Sequence, residues 1–399
     1  MDKFIVIGTG VFGLSAAYHI RQRWPTAQLS VISQPSRLAP SDDISKIVRV
    51  DYNNSERMTE AVRAQEQWKG NNFSTLQRSI GRIVIYEQDD LATLEKINNA
   101  RDELGLQRRQ RGDSTLMQEF ETIMAPKSLT YILAPDDSIV DWETCMSDAR
   151  GRAKKACTDS GGTFYESGGA TIVKDGARVT ALMLENGERI EAGSAQVVLA
   201  VGPWFAQMLA ASDITLPPNG RTPVATGLFS YAVQLNDEQA AFFRDRPMVS
   251  HSGKGSVGKL TWIHPFTNLH GSTISLVEDL SESALAKSHM HKAIEWARTD
   301  GVTETQDPII ARHPQFQNLV CAAGGSFNRA KDLPTIGSIV ADVLGGQDVS
   351  ERYSWEPETR HSHRNHSHLV ARGDFATMEK EAQQHGQDSV ADHSSLAVI

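Results

Sequence analysis

The sequence predicts an α/β chain of two lobes, a Rossmann-like dinucleotide-binding domain interleaved with an antiparallel-sheet lobe. Three observations predict it. The apolar run Phe4-Ile5-Val6-Ile7 breaks into Gly8-Thr9-Gly10-Val11-Phe12-Gly13 and resumes as the small-residue helical pattern Leu14-Ser15-Ala16-Ala17-Tyr18-His19-Ile20. A second apolar run, Leu29-Ser30-Val31-Ile32, follows where a βαβ unit needs its second strand. Far along the chain, Val197-Val198-Leu199-Ala200-Val201-Gly202-Pro203-Trp204 and Ala323-Gly324-Gly325-Ser326 each read as a strand end turning on glycine, so distant segments return to one nucleotide site.

The glycine motif has a physical reading. Gly8 permits a tight turn, Gly10 lets the backbone approach a pyrophosphate, and Gly13 lets the helix pack closely on the strand. Val11 and Phe12 open the helix, whose free N–H groups and positive dipole end attract phosphate. The carboxylate expected after the second strand, to hold ribose hydroxyls, is replaced by Ser33 and Gln34, which can still hydrogen-bond a ribose. No arginine adjoins them at the strand tip, so a 2′-phosphate is a poor fit.

The remaining elements follow from periodicity and turn residues. Helical spacing is expected over 56–69, 89–107 and 141–160. Strands are expected at Gly81-Arg82-Ile83-Val84-Ile85-Tyr86 and at Phe164-Tyr165. A hairpin is expected at Arg178-Val179-Thr180-Ala181-Leu182-Met183-Leu184, turning on Asn186-Gly187. Residues 224–275 read as strand-rich, and 318–345 as strand, turn and helix. Residues 1–60, 140–215 and 300–350 are therefore assigned to the dinucleotide domain, and 61–139 with 216–299 to the second lobe. From about Gln347 the chain is polar and His-rich, and 351–399 is expected to be a disordered tail.

Composition sets limits. The 399 residues suffice for two domains, and 22% charged residues with a net charge of -9 speak against nucleic-acid binding. No apolar run approaches the roughly 20 residues of a membrane span. Cys145, Cys157 and Cys321 lack CxxC spacing and read as reduced thiols. With no targeting segment and no peroxisomal tripeptide in Ala397-Val398-Ile399, a cytoplasmic protein is expected. The tract His361, His363, His366 and His368 is weak as a metal site, and no metal is expected. Asn53-Asn54-Ser55 reads as a surface turn.

Three motifs together resemble the FAD-dependent amine oxidases of the D-amino-acid oxidase superfamily, and within it the fungal branch of fructosyl amino acid oxidases (amadoriases), saccharopine oxidase and monomeric sarcosine oxidase. They are the glycine motif at 8–13, Ser41-Asp42-Asp43-Ile44-Ser45-Lys46-Ile47-Val48-Arg49-Val50-Asp51-Tyr52, and Gly324-Gly325-Ser326-Phe327-Asn328-Arg329-Ala330-Lys331-Asp332-Leu333-Pro334-Thr335-Ile336-Gly337. The resemblance runs from residue 1 to about 356, with Trp355 in the family's aromatic tail motif. It implies FAD as cofactor, an amine or N-substituted amino acid as substrate, and O2 as acceptor. A hydride equivalent passes from the α C–H to the flavin, the imine hydrolyses, and H2O2 forms. A pathway in fungal specialised metabolism fits this branch.

The resemblance implies site residues too. Ser41, Asp43 and Lys46 lie along the flavin, with Gly202, Trp204, Gly325, Ser326 and Lys331. Cations at Lys46, Arg49 and Lys331 would stabilise the negative charge of a reduced flavin. Lys259, ahead of the alternative Lys254, matches the lysine that assists O2. Read without their neighbours, Lys46 and Arg49 would be a solvated helix face with one ion pair from Asp42 or Asp43, and Lys331 an exposed lysine at a helix start. Arg78, Arg82, Arg109 and Arg111 are candidates for a substrate carboxylate, although most are expected to face solvent. Trp68, Trp204, Trp262 and Tyr86 could line an amine cage or fill a core.

The chain departs from the family pattern in three places. Arg298 falls where the FAD-tethering cysteine belongs, so FAD is expected to be non-covalent. The stretch 278–298 is short, and Asn328 and Asp332 replace residues expected to face the substrate. The alternatives are a flavin-binding paralogue without oxidase turnover, or a flavin dehydrogenase that does not use O2.

Overall fold

The computed structural model describes residues 2–34, 39–42, 45–70, 75–86, 91–110, 130–167, 169–218, 220–234, 237, 241, 246–252, 264–265, 273–276, 293–326 and 328–356. The predicted βαβ unit is β1 (Lys3–Ile7), α1 (Val11–Arg23) and β2 (Gln28–Ser33). The chain continues through β3 (Ser45–Val48), α2 (Ser55–Gly70), β4 (Gln77–Ser79), β5 (Arg82–Tyr86), α3 (Leu91–Glu103), β6 (Thr130–Ala134) and β7 (Ser138–Asp141). Helix α4 (Trp142–Asp159) starts where Asp141 accepts the Thr144 N–H, an N-cap that satisfies one of the helix's unpaired donors. There follow β8 (Phe164–Glu166), the meander β9 (Ala170–Asp175), β10 (Arg178–Leu184) and β11 (Arg189–Glu191), then β12 (Gln196–Leu199) and α5 (Phe205–Ala211). Strands β13 (Val224–Gln234), β14 (Met248–Ser252), β15 (His264–Pro265), β16 (Thr273–Leu276) and β17 (Ala293–Val302) precede β18 (Ile309–Arg312), β19 (Leu319–Ala323) and α6 (Ile336–Leu344).

A six-stranded sheet, in the order β18-β19-β12-β1-β2-β8, gathers strands from both ends of the chain. Five of its strands run parallel, and β18 is antiparallel. Strands buried on both faces must be apolar along their buried length, as β1 and β12 are beyond their first residues, Lys3 and Gln196. Alternation then divides them between two cores. Phe4, Val6, Leu29, Val31, Val198 and Val320 pack beneath α1, α4 and α6, while Ile5, Ile7, Ile32, Val197, Leu199 and Cys321 meet β9–β11 and α5. Gly8 and Gly13 take the turn and the close helix–strand packing expected of them. Gly8 has φ +106, a conformation open to glycine, and a Cβ on Gly13 would lie 1.9 Å from the Gly8 carbonyl oxygen.

Smaller sheets flank this one: β3-β7-β4, β14-β5-β6 and β15-β16-β13-β17. Their pairings are antiparallel, except that β14 runs parallel to β5, Met248 opposite Arg82. Residues 45–48 form a strand and not a helix face, since Lys46-Ile47-Val48 pairs with Val140, Ile139 and Ser138. The polar tail also begins later than expected. Arg221 donates to the carbonyls of Arg352 and Ser354, and Tyr353 and Trp355 are buried, so the chain stays packed through residue 356. Residues 357–399, with their histidines, lie outside the described residues.

Candidate functional site: a cation-lined dinucleotide cleft

Strands β1, β12 and β19 end side by side, and β2 leaves β1 on the opposite side from β12. At such a reversal the loops diverge and open a crevice at the carboxyl ends of the strands. A cavity of about 280 Å³ occupies it. The three predicted segments meet there, with Gly8, Gly10, Val11 and Phe12 from the first, Gly202 and Trp204 from the second, and Gly324, Gly325 and Ser326 from the third. Ser41 and Lys46 also line it.

The cleft suits an anionic dinucleotide. Gly10 caps α1 without a side-chain hydrogen bond, and no acidic residue sits in the helix's first turn, so its N–H groups face the crevice uncompensated. Among the described residues, the charged side chains of the lining are Lys46, Arg150 and Arg329, and none is a carboxylate. A pyrophosphate at the helix start and negative charge at a flavin ring both match that balance.

Other predicted residues lie elsewhere. Ser33 does not reach the cleft: its Oγ is buried 2.7 Å from Thr9 Oγ1, and Gln34 lines the crevice in its place. Gly13 lies below the floor, against Gly8. Lys331 is not an exposed lysine. It is buried, its Nζ donating to the Asn328 carbonyl at 2.7 Å and lying 3.3 Å from Asp332. Both Lys331 Nζ and the Arg49 guanidinium sit over the Tyr52 ring, 4.7 and 4.6 Å from its centre. Burial opposes ionisation of the Tyr52 phenol, yet Arg49 and Lys331 hold it below its ordinary value. Asp42 pairs with Arg150. Asp43, Lys254, Lys259, Arg111 and Trp262 lie outside the described residues.

Two of the arginines expected in solvent are buried. Arg82 Nε lies 2.6 Å from Asp137, and Arg109 Nε lies 2.8 Å from Asp51, which Arg101 also binds. Burial opposes ionisation of Asp51, but Arg109 and Arg101 hold its carboxyl below the usual range. Trp68 and Tyr86 are core residues, Trp68 donating to the Lys331 carbonyl at 2.6 Å. Asp332 does not face a substrate either, being buried against Arg329 and Lys331.

Three polar contributors to the cleft had not been assigned a role from the sequence: Thr9, Arg150 and Arg329. Thr9 and Arg329 lie inside recognised motifs. Arg150 sits mid-helix with nothing in its neighbours to mark it. Arg329 anchors a buried network. Its guanidinium binds Glu60 at 2.5 Å, Asp332 at 3.0 Å and Asp307 at 3.2 Å, and Arg57 and Arg352 bind Asp307 and Glu60. Burial opposes ionisation of Glu60, but Arg329 and Arg352 bring its carboxyl down to about 2.

None of the three thiols is a candidate flavin attachment point. Cys145 and Cys157 are buried on α4, and burial pushes them up to about 12 and about 11. Cys321 is fully buried on the apolar face of β19 turned to β9–β11 and α5, and burial raises it further. Low thiolate content makes such sulfurs inert. Arg298 falls on β17 opposite Leu228. Among the described residues no acidic, His or Cys cluster could hold a metal, and no helix is long and apolar enough to cross a membrane.

Fold and cleft together define a mixed α/β protein with a cleft suited to a dinucleotide. The comparisons narrow this: residues 3–343 match the FAD dependent oxidoreductase (DAO) family, and the chain belongs to it. It is an FAD-dependent oxidoreductase. The chain is 22% identical over 424 residues to L-saccharopine oxidase of Schizosaccharomyces pombe, covering 88% of this chain and 91% of that one. It superposes on amadoriase I of Aspergillus fumigatus with TM-score 0.70 at 19% identity, covering 90% of each chain, in an Asp295Cys/Lys303Cys mutant (that protein's own numbering). Fructosyl peptide oxidase of E. terrenum gives TM-score 0.72 at 15% identity, over 93% of this chain and 97% of that one.

Proposed function

We propose that this oxidoreductase oxidises the C–N bond of a secondary amine or N-substituted amino acid to an imine, with O2 as acceptor and H2O2 as product, and that FAD is held without a covalent link. The observation that carries the reading is the cleft lining, in which three glycine-bearing segments meet beside three cations and, among the described residues, no carboxylate. The relatives support the substrate class, since saccharopine and fructosyl amines are both N-substituted amines and one neighbour is named an amine:oxygen oxidoreductase. Specialised metabolism is proposed as the setting.

FAD supplies the two-electron acceptor for the C–N bond. The first turn of α1, with Gly8 and Gly10, is proposed to hold its pyrophosphate. Lys46 and Arg329 are proposed to meet negative charge at the ring end, where Gly324, Gly325 and Ser326 line the wall. Arg49 and Lys331 both lie over the Tyr52 ring, and Lys331 is balanced by Asp332. The segments 1–60, 140–215 and 300–350 are proposed as the FAD side, and 61–139 with 216–299 as the substrate side.

The test is anaerobic mixing of FAD-loaded protein with saccharopine, fructosyl amino acids and other N-alkyl amino acids. Bleaching of the flavin band, reversed by air with release of H2O2, is expected. FAD-loaded protein that none of them bleaches would contradict amine oxidation, and bleaching without H2O2 in air would contradict O2 as acceptor.

A further inference from the structure

We propose that Arg150 is a cofactor-binding residue, its guanidinium set by Asp42 to hold the adenosine diphosphate half of FAD. The inference rests on FAD occupying this cleft and is independent of the amine substrate. Gln34 follows β2 directly and lines the cleft, which marks that end as the adenosine side. Arg150, Ala39, Pro40, Ser41 and Gly169 also line the cleft.

The usual ribose acceptor is missing there. No carboxylate follows β2, and the Ser33 hydroxyl is engaged with Thr9. Arg150 reverses the polarity, offering N–H donors to ribose and phosphate oxygens where a carboxylate would accept from hydroxyls. Its Nη2 donates to Asp42 Oδ1 at 3.0 Å, and among the described residues Asp42 is its one hydrogen-bond partner, so donors remain for a ligand. Both side chains are about one third exposed, 34% and 29%, so the pair is reachable from the cleft.

The mounting is rigid. Trp142 at the start of α4 donates through Nε1 to the Ser41 carbonyl at 3.0 Å, and Arg150 grips Asp42 from the same helix. Those two residues lie about 12 Å apart along the helix axis, at 1.5 Å per residue. One helix therefore fixes segment 39–42 at two points and presents Arg150 beside it. A non-covalent cofactor depends on contacts of this kind.

Diluted holoprotein tests the proposal, with released FAD followed by its fluorescence and ADP used as a competitor for rebinding. Arg150→Ala is expected to weaken both FAD and ADP by about tenfold or more, the scale of a hydrogen bond to a charged group. Asp42→Asn is expected to weaken both by a smaller factor. Added salt is expected to raise the wild-type dissociation constant, and less so in the variant. Arg150→Gln carries the same expectations should the alanine variant not fold. Unchanged FAD and ADP affinities, or loss of FAD without loss of ADP, would overturn the proposal. A wild-type protein that bound neither would instead sink the assignment of FAD to the cleft.

Discussion

The six-stranded sheet and the region from 45 to 141 solve the problem of burial by different means. The sheet is apolar on both faces, and its glycines bring helix and strand into contact. The other region buries an apolar cluster around Val50, Met58, Val84 and Ile132, but sets arginine–carboxylate pairs beside it: Arg82 with Asp137, and Arg101 and Arg109 with Asp51. Apolar burial is non-directional and forgiving of small errors. A buried ion pair tolerates none, because removing one partner strands a charge in low dielectric. The apolar strands of the six-stranded sheet should therefore tolerate conservative apolar substitution, whereas the region from 45 to 141 should be brittle at a few positions.

Asp137 is the sharpest place to break that contrast. It is fully buried, accepts from Arg82 and from the Val50 N–H, and has no route to solvent. Asp137→Ala is expected to cost about 3–5 kcal/mol in denaturant unfolding, by removing the carboxylate that the buried Arg82 charge pairs with. Glu60 comes next, through pH. Its folded value of about 2 lies below the ordinary 4.5, so its stabilisation is present above pH 4.5 and is lost as pH falls toward 2. About 3 kcal/mol is at stake, at 1.36 kcal/mol per unit. Acid titration of unfolding should show that loss in the wild type and a flatter profile in Glu60→Gln.

Gly13→Ala probes the sheet side. Its Cβ would meet the Gly8 carbonyl, so a cost of about 1–3 kcal/mol is expected together with weakened FAD binding, both measurable on one preparation. Lys46→Met should leave stability and FAD content near wild type. It should slow substrate-driven bleaching by about tenfold or more, the scale of a lost electrostatic stabiliser. At the bottom of the scale, Lys155→Ala breaks an exposed helix pair with Asp159 and should not move the unfolding midpoint.

The same contrast explains what was legible in the sequence. Period and turn chemistry are local, so the βαβ unit, the Asn186-Gly187 hairpin, α4 and the glycine-ended strands could be read directly. The convergence of residues 8–13, 202–204 and 324–326 was legible because each segment carried its own glycine signature. Partners distant in sequence leave no local mark. Arg82 and Arg109 looked like solvent-facing residues because Asp137 and Asp51 lie 55 and 58 positions away. Lys46 and Arg49 fit a helix spacing until β7 supplied a strand partner for β3. Ser33 was a sound choice by position, but its hydroxyl was already committed to Thr9. Arg150 could be found only once α4 was docked against segment 39–42.

The most direct test of the account is the absorbance of purified protein before and after acid precipitation. A flavin spectrum in the native protein that passes entirely to the supernatant is the predicted result, and it means FAD held by the cleft alone. Flavin colour retained in the pellet would contradict it, by requiring a covalent link to a side chain that the buried, protonated thiols do not supply.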